Sequence, residues 1–250
     1  MADRYWVGGT GTWDTTSTTN WSTASGGSSG ASVPTSADNV FFDQAGTYTV
    51  TMTGALNCLS INVSAGTVTF ATGTSPTLAI SGSMTLIAGT VWSSTGNITF
   101  NATTTGKTVT TNSVTIGATN IIFSGVGGGW TLGSALTVSG TVAITAGIFD
   151  TSSSGNYAVT CTIFSSSAST TRTVNLNAST VTCSAGSSAA ISFFTITGLT
   201  FNPGTSTLVG SGTTSGISSG GLTFYNVSFT STTAGSRTIT GANTFNNLAV

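Results

Sequence analysis

The sequence predicts an all-β chain wound as a right-handed parallel β-helix behind an N-terminal aromatic cap. Three observations predict it: short apolar runs that alternate with Thr, Ser or Asn, a loose repeat of about twenty residues, and a near-absence of charge. Only 4% of the 250 residues are charged, there is no His, and 33 residues are Gly. Thr, Ser and Gly together make up about half of the chain, where ordinary domains carry about 25% charged residues alone.

Residues 1–45 have their own texture. They hold Asp3, Asp14, Asp38 and Asp43, which are all the carboxylates but Asp150, and Trp6, Trp13 and Trp21, spaced by Gly and Thr. A boundary near residue 45 is therefore expected, with a docking or capping region at 1–45 and a β-helical shaft at 46–250. Large rings offer apolar area with a polar handle. The three tryptophans are thus read in two ways, as a local core closing the open end of a solenoid or as contacts to a partner. Trp6, Trp13, Trp21 and Asp38 are the candidate docking residues.

From Gly46 onward the period is two. Tyr48, Val50 and Met52 begin it, followed by Leu59, Ile61 and Val63, then Val68 and Phe70, Leu78 and Ile80, Ile98 and Phe100. Farther on come Val114 and Ile116, Leu136 and Val138, Val142 and Ile144, Val174 and Leu176. Such alternation marks half-buried strands, and no segment keeps the 3.6-residue period of an amphipathic helix. The phrases TYTVTMTGALNCLSINVSA, GTVTFATGTSPTLAISGSMTL and IAGTVWSSTGNITFNATTT follow one another at close to twenty residues each. Two or three strands per 20–25 residues is one coil of a solenoid, whose inward side chains are buried only by the coils above and below.

Stacking also accounts for the missing charge, because like charges on successive coils would stand about 4.8 Å apart. An antiparallel β-sandwich is the alternative. It would call for tight hairpin signals such as Asn-Gly or Asp-Gly, and the chain has neither. The Gly-rich stretches from Gly125 to Gly133 and Gly204 to Gly221 are expected to project as loops or to let a partner's backbone come close. Cys58, Cys161 and Cys183 lack the paired spacing of a disulfide or zinc framework and read as small buried hydrophobes, with Cys161 and Cys183 about one coil apart.

The same residues argue against several functions. With no His, no Glu and five Asp, general acid–base and metal chemistry have few carriers, so no enzyme, no cofactor and no metal site is expected. Asp14, Asp38 and Asp43 beside Asn20 and Asn39 could offer oxygens to a hard cation, yet Asp among Ser, Thr and Asn more often caps turns. Asp150 stands alone after Asp43, which removes the carboxylate pair of glycoside cleavage. Only Arg4, Lys107, Arg172 and Arg237 are cationic, so nucleic acid is not an expected partner. No run approaches the roughly 18 apolar residues of a membrane helix, so no membrane insertion is expected. The Thr-x-Thr phrases at 47–53 and 67–69 raise an ice-binding reading, since a flat array of Thr can order water. The drifting repeat length argues instead for hydroxyl ladders without a fixed register.

The phrase YWVGGTGTWDTTSTTNWSTASGG, continued by VPTSADNVFFD at residues 33–43, resembles virion proteins of tailed bacteriophages, as do LTFYNVSF (222–229) and TITGANTFNNLAV (238–250). A looser similarity is to the repeats of autotransporter-type adhesins. The resemblance implies a tail fibre, spike or capsid-attached fibre that joins other virion proteins and takes part in host attachment. It also implies a homotrimer located in the virion and assembled in the host cytoplasm, and the N-terminus lacks the apolar stretch of a secretory signal peptide. A surface adhesin binding host glycans is the alternative of another class.

Overall fold

The computed structural model describes residues 1–250 and contains strands and turns only. Thirty short strands form three long sheets of ten, 11 and nine strands, here called A, B and C. The chain visits them in rotation. Asp38–Phe42 lies in A, Thr47–Met52 in B and Ala55–Cys58 in C, and the next coil repeats the order with Ile61–Val63, Thr67–Thr72 and Thr77–Ile80. Every lateral pairing is parallel except that of Tyr5 and Trp6 with Ser22 and Trp21. The fold is thus a β-solenoid of about ten turns, and the sandwich, which needs sequential strands paired antiparallel, is excluded.

Alternation decides which side chains face inward. In Thr47–Met52, Tyr48, Val50 and Met52 are buried while Thr49 and Thr51 point outward. Stacking then aligns like with like. Val50, Phe70, Trp92, Ile116 and Val138 sit on one another through sheet B, and Leu56, Leu78, Ile98, Ile121 and Val142 do the same through sheet C. Fifty buried residues make one continuous core. Two aromatic runs lie along it, one with Phe42–Phe70 at 4.9 Å and Phe70–Trp92 at 4.5 Å, the other with Phe100–Phe123 at 5.0 Å and Phe123–Phe149 at 5.0 Å between ring centroids. Cys161 and Cys183 are register partners facing inward, their Sγ atoms 4.0 Å apart and both thiols free. The hydrogen bond between them, together with burial, holds the Cys183 thiol above its ordinary pKa.

Coil length varies while register does not. Trp130 stacks on Phe149, 19 residues on, whereas Arg172 stacks on Leu199, 27 residues on. The slack is taken up at the corners. The texture change near residue 45 falls between Asp38–Phe42 and Thr47–Met52, two successive solenoid strands, and residues 1–45 already supply strands to sheets A and B.

The Gly-rich stretches do not project. Gly129–Leu132, Thr207–Gly210 and Ile217–Ser219 are solenoid strands, and the glycines between them form corners that rest on the preceding coil. A Cβ on Gly125 or Gly128 would fall about 2 Å from the Ala102 carbonyl oxygen, so the close approach expected of a partner's backbone is made by this chain's own.

Arg172 secures two adjacent corners, residues 166–171 and 194–198. It is 1% exposed and has no carboxylate partner. All of its donors go to neutral oxygens: Nε to Ser166 Oγ at 2.8 Å, Nη1 to the Thr170 and Thr197 carbonyls at 3.0 and 2.9 Å, and Nη2 to the Ser166 carbonyl at 2.9 Å and the Thr195 carbonyl. Desolvation lowers its pKa from the usual arginine value. Each buried acceptor left without a donor costs about 1–3 kcal/mol. Arg172→Met is therefore expected to lose on the order of 3 kcal/mol in a urea melt, and a midpoint within error of the parent would refute the clamp.

Candidate functional site

Two features stand apart from the repeating coil: the closed N-terminal end and the outer face of sheet B. The chain builds the end from its first coil. Ala2–Trp6 joins sheet A and Gly11–Trp13 joins sheet B, after which residues 14–37 cross the mouth of the solenoid and return at Asp38. Trp21–Ser22 runs antiparallel along the outermost edge of sheet A. A two-residue strand in the opposite sense leaves little template for edge pairing.

The three indoles fill the mouth. Trp6 and Trp13 meet Trp21 edge-on at 5.1 and 5.3 Å, and all three rest on Phe42 at 5.9 to 6.2 Å. Trp6 Nε1 donates to the Gly9 carbonyl at 2.8 Å. Gly8 and Gly11 are required because the Asn20 side chain lies across them; an added Cβ would come within 2.0 and 2.8 Å of it. Asn20 Nδ2 donates in turn to the Thr12 carbonyl.

Of the candidate docking residues, Trp6, Trp13 and Trp21 are at most 1% exposed and Asp38 is 7% exposed. The structure brings all four together at one end, but as the inside of a cap. Their side chains are consumed by packing and turn hydrogen bonds and offer no contact surface to another protein. What the cap does expose is the segment Thr23–Gly30.

The acidic residues serve turns. Asp38 accepts from the Ala2 amide at 3.2 Å, the Thr35 amide at 3.0 Å and the Thr35 hydroxyl at 2.7 Å. Burial pulls its pKa up, and the Thr35 hydroxyl and amide, the Arg4 charge and the Ala2 amide together outweigh it, leaving the carboxyl below its ordinary value. Asp14 accepts from the Ser17 and Thr16 amides at 2.6 and 2.8 Å, and those bonds lower its pKa too. No group of three His, Cys, Asp or Glu stands close enough to hold a metal ion. Tyr48, beside the next corner, is pushed up to about 12 by burial and then by the Asp43 charge.

The second feature is the face that sheet B turns outward. Every charged residue that lies on a strand, namely Asp3, Arg4, Asp38, Lys107, Asp150 and Arg172, lies in sheet A, and the strands of sheet B carry none. Along its middle, Thr49 stacks on Thr69, and after Val91 the column resumes as Thr115, Thr137, Thr160 and Thr182. This corrects the expectation that drifting coil lengths deny the threonines a register: the corners absorb the drift, and the sheet keeps its pairing. A flanking column ties its hydroxyls down. Ser93, Thr162 and Ser211 donate to the carbonyls of Phe70, Ser139 and Cys183 on the preceding coil. None of the middle-column hydroxyls has a partner within the molecule.

Outward asparagines form ladders of their own, from Asn97 to Asn120, Asn175 to Asn202 and Asn226 to Asn247, at 2.8 to 2.9 Å. Asp150 belongs to the second of these, accepting from Asn175 and Asn177.

No protein-family model matches the chain, and no curated protein or solved structure matches it at significance.

Two predictions concern the cap. Trp21→Ala is expected to cost about 3–5 kcal/mol, as full removal of a buried indole does, and a denaturant midpoint unchanged from the parent would show the cap to be dispensable. Because Asp14 and Asp38 have lowered folded-state pKa values, their contribution is complete above the unfolded value of 3.8 and is lost as pH falls through the folded one. Tryptophan emission is expected to shift to the red below pH 3.8 and to stay constant from there to neutrality.

Proposed function

We propose that the chain is a non-enzymatic structural component of a bacteriophage particle, part of a tail fibre, spike or capsid-attached fibre that takes part in host attachment. The observation that carries this reading is the unbroken stack. Ten turns at about 4.8 Å each make a rod about 48 Å long, held by one core and by strand pairing that runs through three sheets. Rigid extension without disulfides is what a particle exposed outside the cell needs from a shaft. The likeness of residues 5–43, 222–229 and 238–250 to virion proteins supports the same assignment.

In this reading the protein works as a homotrimer in the virion, joined to other virion proteins. The cap residues keep the shaft end closed, and docking falls to the exposed Thr23–Gly30. Deleting residues 1–45 would open the core, so substitutions within 23–30 are the cleaner probe of docking.

A second reading, a surface adhesin for host glycans, is favoured by one place on sheet A. Tyr5 stacks on Phe41 at 4.9 Å on the outer face, beside a shallow groove of about 240 Å³ lined by Asn39, Ser60 and Asn62 among others. An aromatic step next to amides and hydroxyls suits a neutral sugar ring.

Light scattering on the purified chain, followed by electron microscopy, tests the first reading. A mass three times 24.7 kDa and a narrow rod are expected. A compact monomer would count against the shaft and leave the adhesin reading to be tested by glycan array.

A further inference from the structure

We propose that the outer face of sheet B binds the surface of crystalline water. The face carries one column of free hydroxyls beside a column whose hydroxyls are bonded to the backbone. Coil-to-coil register places Thr115, Thr137, Thr160 and Thr182 one above another, with Thr49 and Thr69 farther along the same line. Successive residues in the column stand about 4.8 Å apart, and outward positions along each strand about 6.6–6.8 Å apart. The result is a periodic net of outward side chains on a parallel sheet, with the free hydroxyls in its middle column.

Three properties separate this net from an ordinary hydrated surface. Its hydroxyls are free: the middle column makes no hydrogen bond within the molecule, while the flanking Ser93, Thr162 and Ser211 donate to backbone carbonyls and brace the edge. Each free hydroxyl brings one donor and two acceptor sites to bound water. Its side chains are stiff, because a β-branched residue on a paired strand has few χ1 choices, and the core beneath them is buried throughout. And it is uncharged, so no ion imposes its own hydration shell on the layer above.

Water held at fixed intervals by such a net carries the periodicity of the solenoid. Liquid water has no long-range period to match it, and a soluble ligand of irregular shape would use only part of it. A lattice of water can use the whole column, with the threonine methyl groups filling the spaces between bound molecules. Val91, 46% exposed, interrupts the hydroxyls with an isosteric apolar group.

The binding is independent of membership in a virus particle, so this reading and the particle reading fail separately. The test uses the full chain in two assays: enrichment in a slowly growing ice front, and the shape and growth arrest of a single ice crystal held just below melting. The parent protein is expected to enter the ice and to facet the crystal. Thr160→Lys and, separately, Thr115→Lys place a long charged side chain on exposed positions of the column, and both are expected to lose enrichment and faceting with an unchanged thermal melt. Thr131→Lys, exposed on sheet A, is the control and is expected to behave as the parent. A parent protein excluded from ice, or a loss shared equally by the control, overturns the proposal. So does a face whose lysine variants change the mass seen by light scattering without touching ice behaviour, since that would make it a contact between copies of the chain. Retention of the parent by insoluble neutral polysaccharide, in the absence of ice enrichment, would overturn it in favour of a carbohydrate lattice.

Discussion

Everything in this molecule follows from parallel strands stacked in register, one coil upon the next at about 4.8 Å. Under that constraint a side chain's nearest neighbours are its own equivalents in the adjacent coils. Like charges cannot repeat there, but apolar groups, amides and hydroxyls can, because each gains from a copy of itself. The composition is this rule written out: Val and Ile columns inside, aromatic runs from Phe42 to Trp92 and from Phe100 to Phe149, and Asn97 on Asn120 or Asn226 on Asn247 outside.

The constraint also fixes where exceptions are needed. A stack has ends, and its first coil has nothing above it, which is why three tryptophans are folded into the mouth over Phe42 and why residues 14–37 depart from the repeat. It has corners as well, and a corner that lengthens must satisfy additional carbonyls. Arg172 does this for residues 166–171 and 194–198 with donors in a planar fork, an arrangement a lysine could not reproduce. Charge is admitted to the interior at Asp38 and Arg172, and each is met by neutral hydrogen-bond partners.

Period-two alternation made the strands legible from residues alone. Tyr48, Val50 and Met52 face inward as their spacing requires, and Cys161 meets Cys183 as their separation of one coil suggests. The solenoid itself could be read from repeat length and from the missing charge. Other features were hidden for physical reasons. Trp6, Trp13 and Trp21 read as a core closing the open end of the solenoid and form one, but the path of residues 14–37 that folds Trp21 over the mouth follows from no local pattern. Gly125 and Gly128 look like loop residues, yet what they serve is a carbonyl 23 or more positions earlier. Arg172, in the phrase TTRTV, carries no local mark of its acceptors, which come from two corners brought together by stacking. The register of the threonine column was obscured for the same reason: sequence spacing includes the corners, and the sheet does not.

The short range of all these contacts along the chain has a kinetic consequence. From Asp38 onward strand partners lie 19 to 27 residues apart, so the mean separation is near a tenth of the chain, a relative contact order of about 0.1, close to that of helical bundles rather than β-sandwiches. Each coil closes on the one before it at the same entropic cost whether it is the third or the ninth. Folding can therefore advance as a front, one coil at a time, and the number of coils becomes a free variable. Inserting or removing a coil changes the reach of the rod by about 4.8 Å and leaves every other contact as it was.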